Sequence, residues 1–94
     1  MLATLDLISL TGNGRLKVQV FTKNTEDPGD GTDADAGVSI DTSTPGRTTE
    51  KWEVGISPGL SELCRYKFSI VGGAAGDRAF FRMLPPVWFD SVKP

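Results

Sequence analysis

The sequence predicts an all-β protein. Its simplest form is a single small antiparallel β-sandwich of six to seven short strands, with a small β-barrel as the alternative closure. Two observations carry this expectation. Apolar residues recur at every second position through most of the chain, the period of a strand with one covered face. Clusters of Gly, Pro, Asn, Asp and Ser separate these runs, and no stretch holds the 3.6-residue period of a helix. The 94 residues make one domain, residues 1–94, whose core has little to spare.

Taken in order, ATLDLISL sets Leu5 and Leu7 on one face and Thr4, Asp6 and Ile8 on the other. TGNG is a Gly/Asn turn of the kind that joins antiparallel neighbours. RLKVQVFTK then opposes Leu16, Val18 and Val20 to Arg15, Lys17, Gln19 and Phe21. Residues 3–10 and 15–23 are therefore expected to pair as a hairpin. Residues 24–37, NTEDPGDGTDADAG, contain no large apolar side chain and read as an acidic flexible loop. VSID is a candidate short strand, and Pro45-Gly46 suits the centre of a type II turn.

TTEKWEVGI alternates again, with Trp52, Val54 and Ile56 inward and Lys51 and Glu53 outward. SPGLSEL is a turn with room for one helical turn. CRYKFSIV places Cys64, Tyr66, Phe68 and Ile70 inward against Arg65, Lys67 and Ser69. After GGAAGD, RAFFRML alternates Ala79, Phe81 and Met83 with Arg78, Phe80 and Arg82. Pro85-Pro86 interrupts the ladder because neither residue donates a backbone hydrogen bond. Residues 85–94 read as a C-terminal aromatic arm or an edge strand. The expected core is Leu16, Val18, Val20, Trp52, Val54, Ile56, Tyr66, Phe68, Ile70, Phe81 and Met83.

The chain has 12 acidic and 10 basic residues, a net charge of −2. Six of the acids, Glu26, Asp27, Asp30, Asp33, Asp35 and Asp41, lie within residues 24–41, which contain no Lys or Arg. The remainder holds six acids and 10 bases, so an acidic segment sits on a mildly basic body. Opposite potentials of this kind can orient neighbouring copies at contact, though a solvated loop that aids solubility is the simpler reading. The net charge does not point to nucleic acid. No apolar run approaches the roughly 18 residues that cross a bilayer, so no membrane partner is expected. MLATLDLISL carries Asp6 and lacks a basic leader, so it reads as a first strand rather than a signal peptide. Production in the cytoplasm is the expectation.

Candidate chemistry is sparse. With no histidine and one cysteine, Cys64, the chain has no internal disulfide, no Cys/His zinc site and no histidine-based triad. On its strand Cys64 alternates inward, as a small core residue does. Asp30, Asp33 and Asp35 offer closely spaced oxygens, but the EF-hand register and its terminal bidentate Glu are missing, so a metal-free loop is the simpler reading. Glu50, Glu53 and Glu62 do not form a recognisable hydrolytic pair. TGNG and VGGAAGD do not lead from a strand into a helix, as a phosphate loop does. No catalytic residue and no cofactor is assigned. Arg65, Lys67, Arg78 and Arg82, with Phe80 between the last two, are expected on the outward faces of two strands that can be neighbours. Such a face suits stacking ligands, an ordinary solvated surface or a protein contact. Met83, Leu84, Val87, Trp88 and Phe89 are too apolar for a solvated tail, and aromatics are frequent interface anchors. The expected interface residues are Phe80, Arg82, Leu84, Val87, Trp88 and Phe89, used either against a neighbour or to close the chain's own core.

The runs TGNGRLKVQVFTKN, TPGRTTEKWEV and RYKFSIVGG resemble those of small β-sandwich structural proteins of tailed phages and related particles. That resemblance implies a non-enzymatic structural or assembly protein: a capsid, decoration or tail component that self-associates or docks on a protein lattice. Its partner would be itself or another structural protein, as a homo-oligomer, and its location a virion or similar assembled particle. Similar patterns occur in carbohydrate-binding β-sandwich accessory modules, the alternative. The polar-aromatic sugar platform of those modules is not identifiable here.

Overall fold

A computed structural model describes residues 1–52, 60–61 and 63–88. Val54, Ile56, Glu53, most of the SPGLSEL turn, and Phe89 with the rest of the arm lie outside the described residues. Two antiparallel sheets pack face to face as a small β-sandwich. One sheet holds Leu2–Leu10 (β1) at its centre, flanked by Gly46–Lys51 (β5) and Ala79–Met83 (β7). The other centres on Arg15–Lys23 (β2). The short strands Thr32–Asp33 (β3) and Ile40–Thr42 (β4) share one side of β2, and Leu63–Val71 (β6) pairs along the whole of the other.

β1 and β2 do not form a hairpin, contrary to the sequence expectation. Each finds its partners later in the chain, and TGNG is an arch that carries the chain from one sheet to the other. Thr11 holds the arch to the start of β7: its backbone N–H donates to Arg78 O at 2.9 Å, and its hydroxyl accepts from Arg78 N at 2.7 Å. Gly12 has φ +83°, and a Cβ there would collide with the Asp77 carboxylate. Both the backbone angle and the space require glycine at this position.

The predicted alternation of β1 and β2 now serves opposite walls of one core. Ala3, Leu5 and Leu7 from β1 face Leu16, Val18 and Val20 from β2, all essentially buried, with Met1, Ala34, Ile40, Trp52 and Leu60 completing the cluster. A β-bulge between Leu7 and Ser9 changes the register of β1 against β7. Ile8 is turned outward, 60% exposed, and Leu10 returns to the core opposite Ala79. The bulge keeps Leu5, Leu7 and Leu10 on a single inner face and leaves Ile8 outside.

Residues 24–37 are a loop with anchors. Ala34 is buried and its N–H donates to Val20 O at 2.8 Å. Asp33 accepts from Gln19 Nε2 at 2.8 Å and from Asp35 N at 3.1 Å, and Asp35 accepts from Gly37 N at 2.9 Å. The outermost stretch, Asn24–Asp30, is exposed.

Candidate interaction surface

The β6/β7 side of the sandwich leaves large apolar side chains exposed. The β2–β6 register sets Cys64, Tyr66, Phe68 and Ile70 opposite Thr22, Val20, Val18 and Leu16. Residues directly across an antiparallel ladder share a face, so the predicted inward face of β6 is right. Its predicted burial is not. Cys64 is exposed, and Phe68 and Ile70 remain 43% and 38% exposed, so the described residues do not cover this face of β6. Tyr66, Phe81 and Met83 are partly buried against the core. The Phe68 and Phe81 rings meet across the opening with centroids 4.8 Å apart. Beside them lies a cleft of about 420 Å³ walled by Leu16, Phe68, Ile70, Arg78, Phe80 and Phe81.

At the other end of the opening the C-terminal segment docks on β1. Leu84 N donates to Thr4 O at 3.0 Å, and Leu2 and Val87 exchange bonds of 2.8 and 2.9 Å. After Pro85-Pro86 the described residues thus make a single isolated bridge to β1. Its side chains are not consumed by that docking. Val87 and Trp88 are 56% and 58% exposed. Trp88 lies at the mouth of the sandwich with Met1, Val20, Cys64, Tyr66 and Pro86. Of the other expected interface residues, Phe80 is 55% exposed, Leu84 is partly buried, and Arg82 is exposed and paired with Asp6 at 3.0 Å.

The four cations expected on adjoining strands are not brought onto one surface, since β6 and β7 belong to different sheets. Arg65 and Lys67 stand on the outer face of β6, where they cap the Phe21 ring at 4.8 and 5.1 Å. Arg82 and Phe80 stand on the outer face of β7. Nor do Asp30, Asp33 and Asp35 converge. Among the described residues no three acidic, Cys or His side chains gather as a metal site, and the carboxylates of Asp33 and Asp35 cap backbone N–H groups instead.

Two polar groups at the opening escaped the sequence reading. Thr22 is the one buried polar residue among those described. Its hydroxyl donates to Leu63 O at 3.0 Å and accepts from Ser61 N at 2.6 Å, which fixes the start of β6. Its place in a β-branched alternating run was a signal only for a strand. The Tyr66 hydroxyl is buried with no hydrogen-bond partner among the described residues. Burial, with the neighbouring Cys64 thiolate adding to it, holds the phenol above its ordinary value of 10.0.

No protein family, curated protein or solved structure matches this chain.

Proposed function

We propose that the protein is a non-enzymatic structural component that assembles, with copies of itself or with another structural protein, into a larger particle of the virion type. The observation that carries this reading is the open side of the sandwich. Phe68, Ile70 and Phe80 around the cleft, and Val87 and Trp88 beside its far end, leave large apolar side chains in solvent on one side of a small domain. Small monomers seldom expose apolar area in such a cluster unless something covers it. The capsid, decoration or tail setting is supported by the resemblance of TGNGRLKVQVFTKN, TPGRTTEKWEV and RYKFSIVGG to phage structural sandwiches. A cytoplasmic assembly route goes with it.

A carbohydrate-binding module would need an open aromatic face for a sugar ring. The Phe21 ring on the outer sheet is capped by Arg65 and Lys67, which disfavours that use. Sedimentation velocity over a concentration series, with negative-stain imaging, tests the proposal. Concentration-dependent assembly is the expected result. A chain that stays monomeric throughout and selects particular sugars on a glycan array would overturn it in favour of a carbohydrate module.

A further inference from the structure

We propose that Asn13-Gly14, in the arch between β1 and β2, is a self-modification site. The Asn13 side chain closes onto the Gly14 nitrogen as a succinimide and loses its amide, with water as the co-reactant. The inference does not depend on the assembly reading. Packing dictates the glycine. Gly14 is buried, and a Cβ there would stand 2.8 Å from Ile70 Cγ2 and 3.1 Å from the Gly73 backbone. Only a residue without a side chain lets the arch lie this close to the turn after β6. The same bareness leaves the Gly14 nitrogen without a Cβ to hinder ring closure.

The residue before that glycine is unrestrained. Asn13 is exposed, and its side-chain amide makes no hydrogen bond among the described residues. Nothing holds its Cγ away from the nitrogen that follows. The chain has one other asparagine, Asn24, and it is placed differently. Asn24 N donates to Asp27 Oδ2 and Asn24 O accepts from Asp27 N, both at 3.0 Å, so its backbone is fixed on either side. The nitrogen after it belongs to Thr25, whose β-branched side chain crowds the approach. Asn24 is therefore a control within the same molecule.

The step balances without any oxidation or reduction. Gly14 N bonds to Asn13 Cγ, the Cγ–Nδ2 bond breaks, and Nδ2 leaves as ammonia with the proton that Gly14 N gives up. Water then opens the ring. Attack at Cγ leaves an ordinary aspartyl link. Attack at the main-chain carbonyl carbon leaves the chain running through Cγ, an isoaspartyl link. Either product places a carboxylate next to Gly12, against which the Asp77 carboxylate already lies, and like charges this close repel. The isoaspartyl product also adds a carbon to the backbone of the arch. That arch is pinned on one side by the Thr11–Arg78 hydrogen bonds and on the other by the Arg15–Val71 pair. Modification therefore loosens the passage from one sheet to the other.

The test is to age the folded full chain in warm, mildly alkaline buffer and map it by peptide mass spectrometry. Asn13 should convert to a mixture of aspartyl and isoaspartyl peptides more than tenfold faster than Asn24. Conversion should be several-fold faster than at neutral pH, because the attacking nitrogen must lose its proton. Ammonia should appear in step with the loss of Asn13. Asn13→Ser keeps an exposed polar residue and removes the amide. It should fold with the same β circular dichroism and release no ammonia from this site. Aged wild-type protein should melt at a lower temperature than fresh protein, while Asn13→Ser treated in the same way keeps its Tm. An intact Asn13 in the folded chain, under conditions that convert it in urea, would show that the arch withholds the amide and would overturn the site. Equal conversion of Asn13 and Asn24 would also overturn it. Full conversion with an unchanged Tm would overturn the loosening of the arch.

Discussion

Thr22 shows how one hydroxyl organises an edge. Its oxygen serves both Ser61 N and Leu63 O, joining the end of β2 to the start of β6 from inside the fold. Thr22→Val keeps the shape and removes the oxygen, leaving two backbone groups without their partner. Urea denaturation should show a loss of about 1–3 kcal/mol, the range for an unsatisfied buried group, with Thr22→Ser losing less. Tyr66 is the only tyrosine in the chain, so absorbance at 295 nm reads a single phenol. Its midpoint should lie above 10.0, because burial disfavours the phenolate and the Cys64 thiolate adds to that effect. A folded value above the unfolded one gives stability that is complete below pH 10 and is lost as pH rises through the folded midpoint. Tyr66→Phe removes a hydroxyl that has no hydrogen-bond partner among the described residues. It should leave stability at neutral pH unchanged or improved and blunt the alkaline loss.

At the scale of elements, β6 separates two properties that alternation alone merges. A residue can point toward the core side of its sheet and still meet solvent if nothing lies above it. Cys64 is such a residue: it sits opposite buried Thr22 yet is exposed. It should therefore react with a thiol reagent in dilute native protein at a rate within about tenfold of the unfolded chain, as exposure governs access. Protection of several orders of magnitude would mean that the opening is covered even in the isolated chain. The alternation of β1, β2, β6 and β7 was legible, with β6 spanning Leu63–Val71 as CRYKFSIV suggests. The hairpin was not. A four-residue Gly/Asn link between two alternating strands serves a hairpin or an arch equally well, and the choice depends on β5, β7, β4 and β6, which come later in the chain.

For the whole molecule, the described part of the C-terminal segment, residues 85–88, is clamped by its backbone more than by its side chains. The Leu2–Val87 bridge supplies two hydrogen bonds, while Val87 and Trp88 stay more than half exposed. Two such bonds contribute about 1–3 kcal/mol together, set against a domain stability of about 5–15 kcal/mol. A chain lacking residues 86–94 should thus fold, with a lower Tm and unchanged β circular dichroism. Complete unfolding of the truncated chain would show instead that this segment closes the protein's own core. Deleting Leu5 by Leu5→Ala, at the fully buried centre, should cost about 2–5 kcal/mol, more than the whole truncation.

Period-two patterning determined by itself that the chain is all-β, where most strands lie and which residues of β2, β6 and β7 face inward, while Leu5 and Leu7 of β1 were missing from the expected core. These follow from the two-sided geometry of a strand, a local property. Composition likewise removed histidine chemistry and internal disulfides, since the chain has no histidine and a single cysteine. Strand partners, the arch at TGNG and the bulge at Ile8 were decided only in the tertiary structure, because pairing joins residues far apart in the chain, seventy-six positions for Asp6 and Arg82 and more for Leu2 and Val87. The open side belongs to that second group. Whether Phe68 and Ile70 are core or surface depends on how far the opposite sheet reaches over them. No local pattern in CRYKFSIV encodes the width of a sheet built from residues 2–10, 46–51 and 79–83.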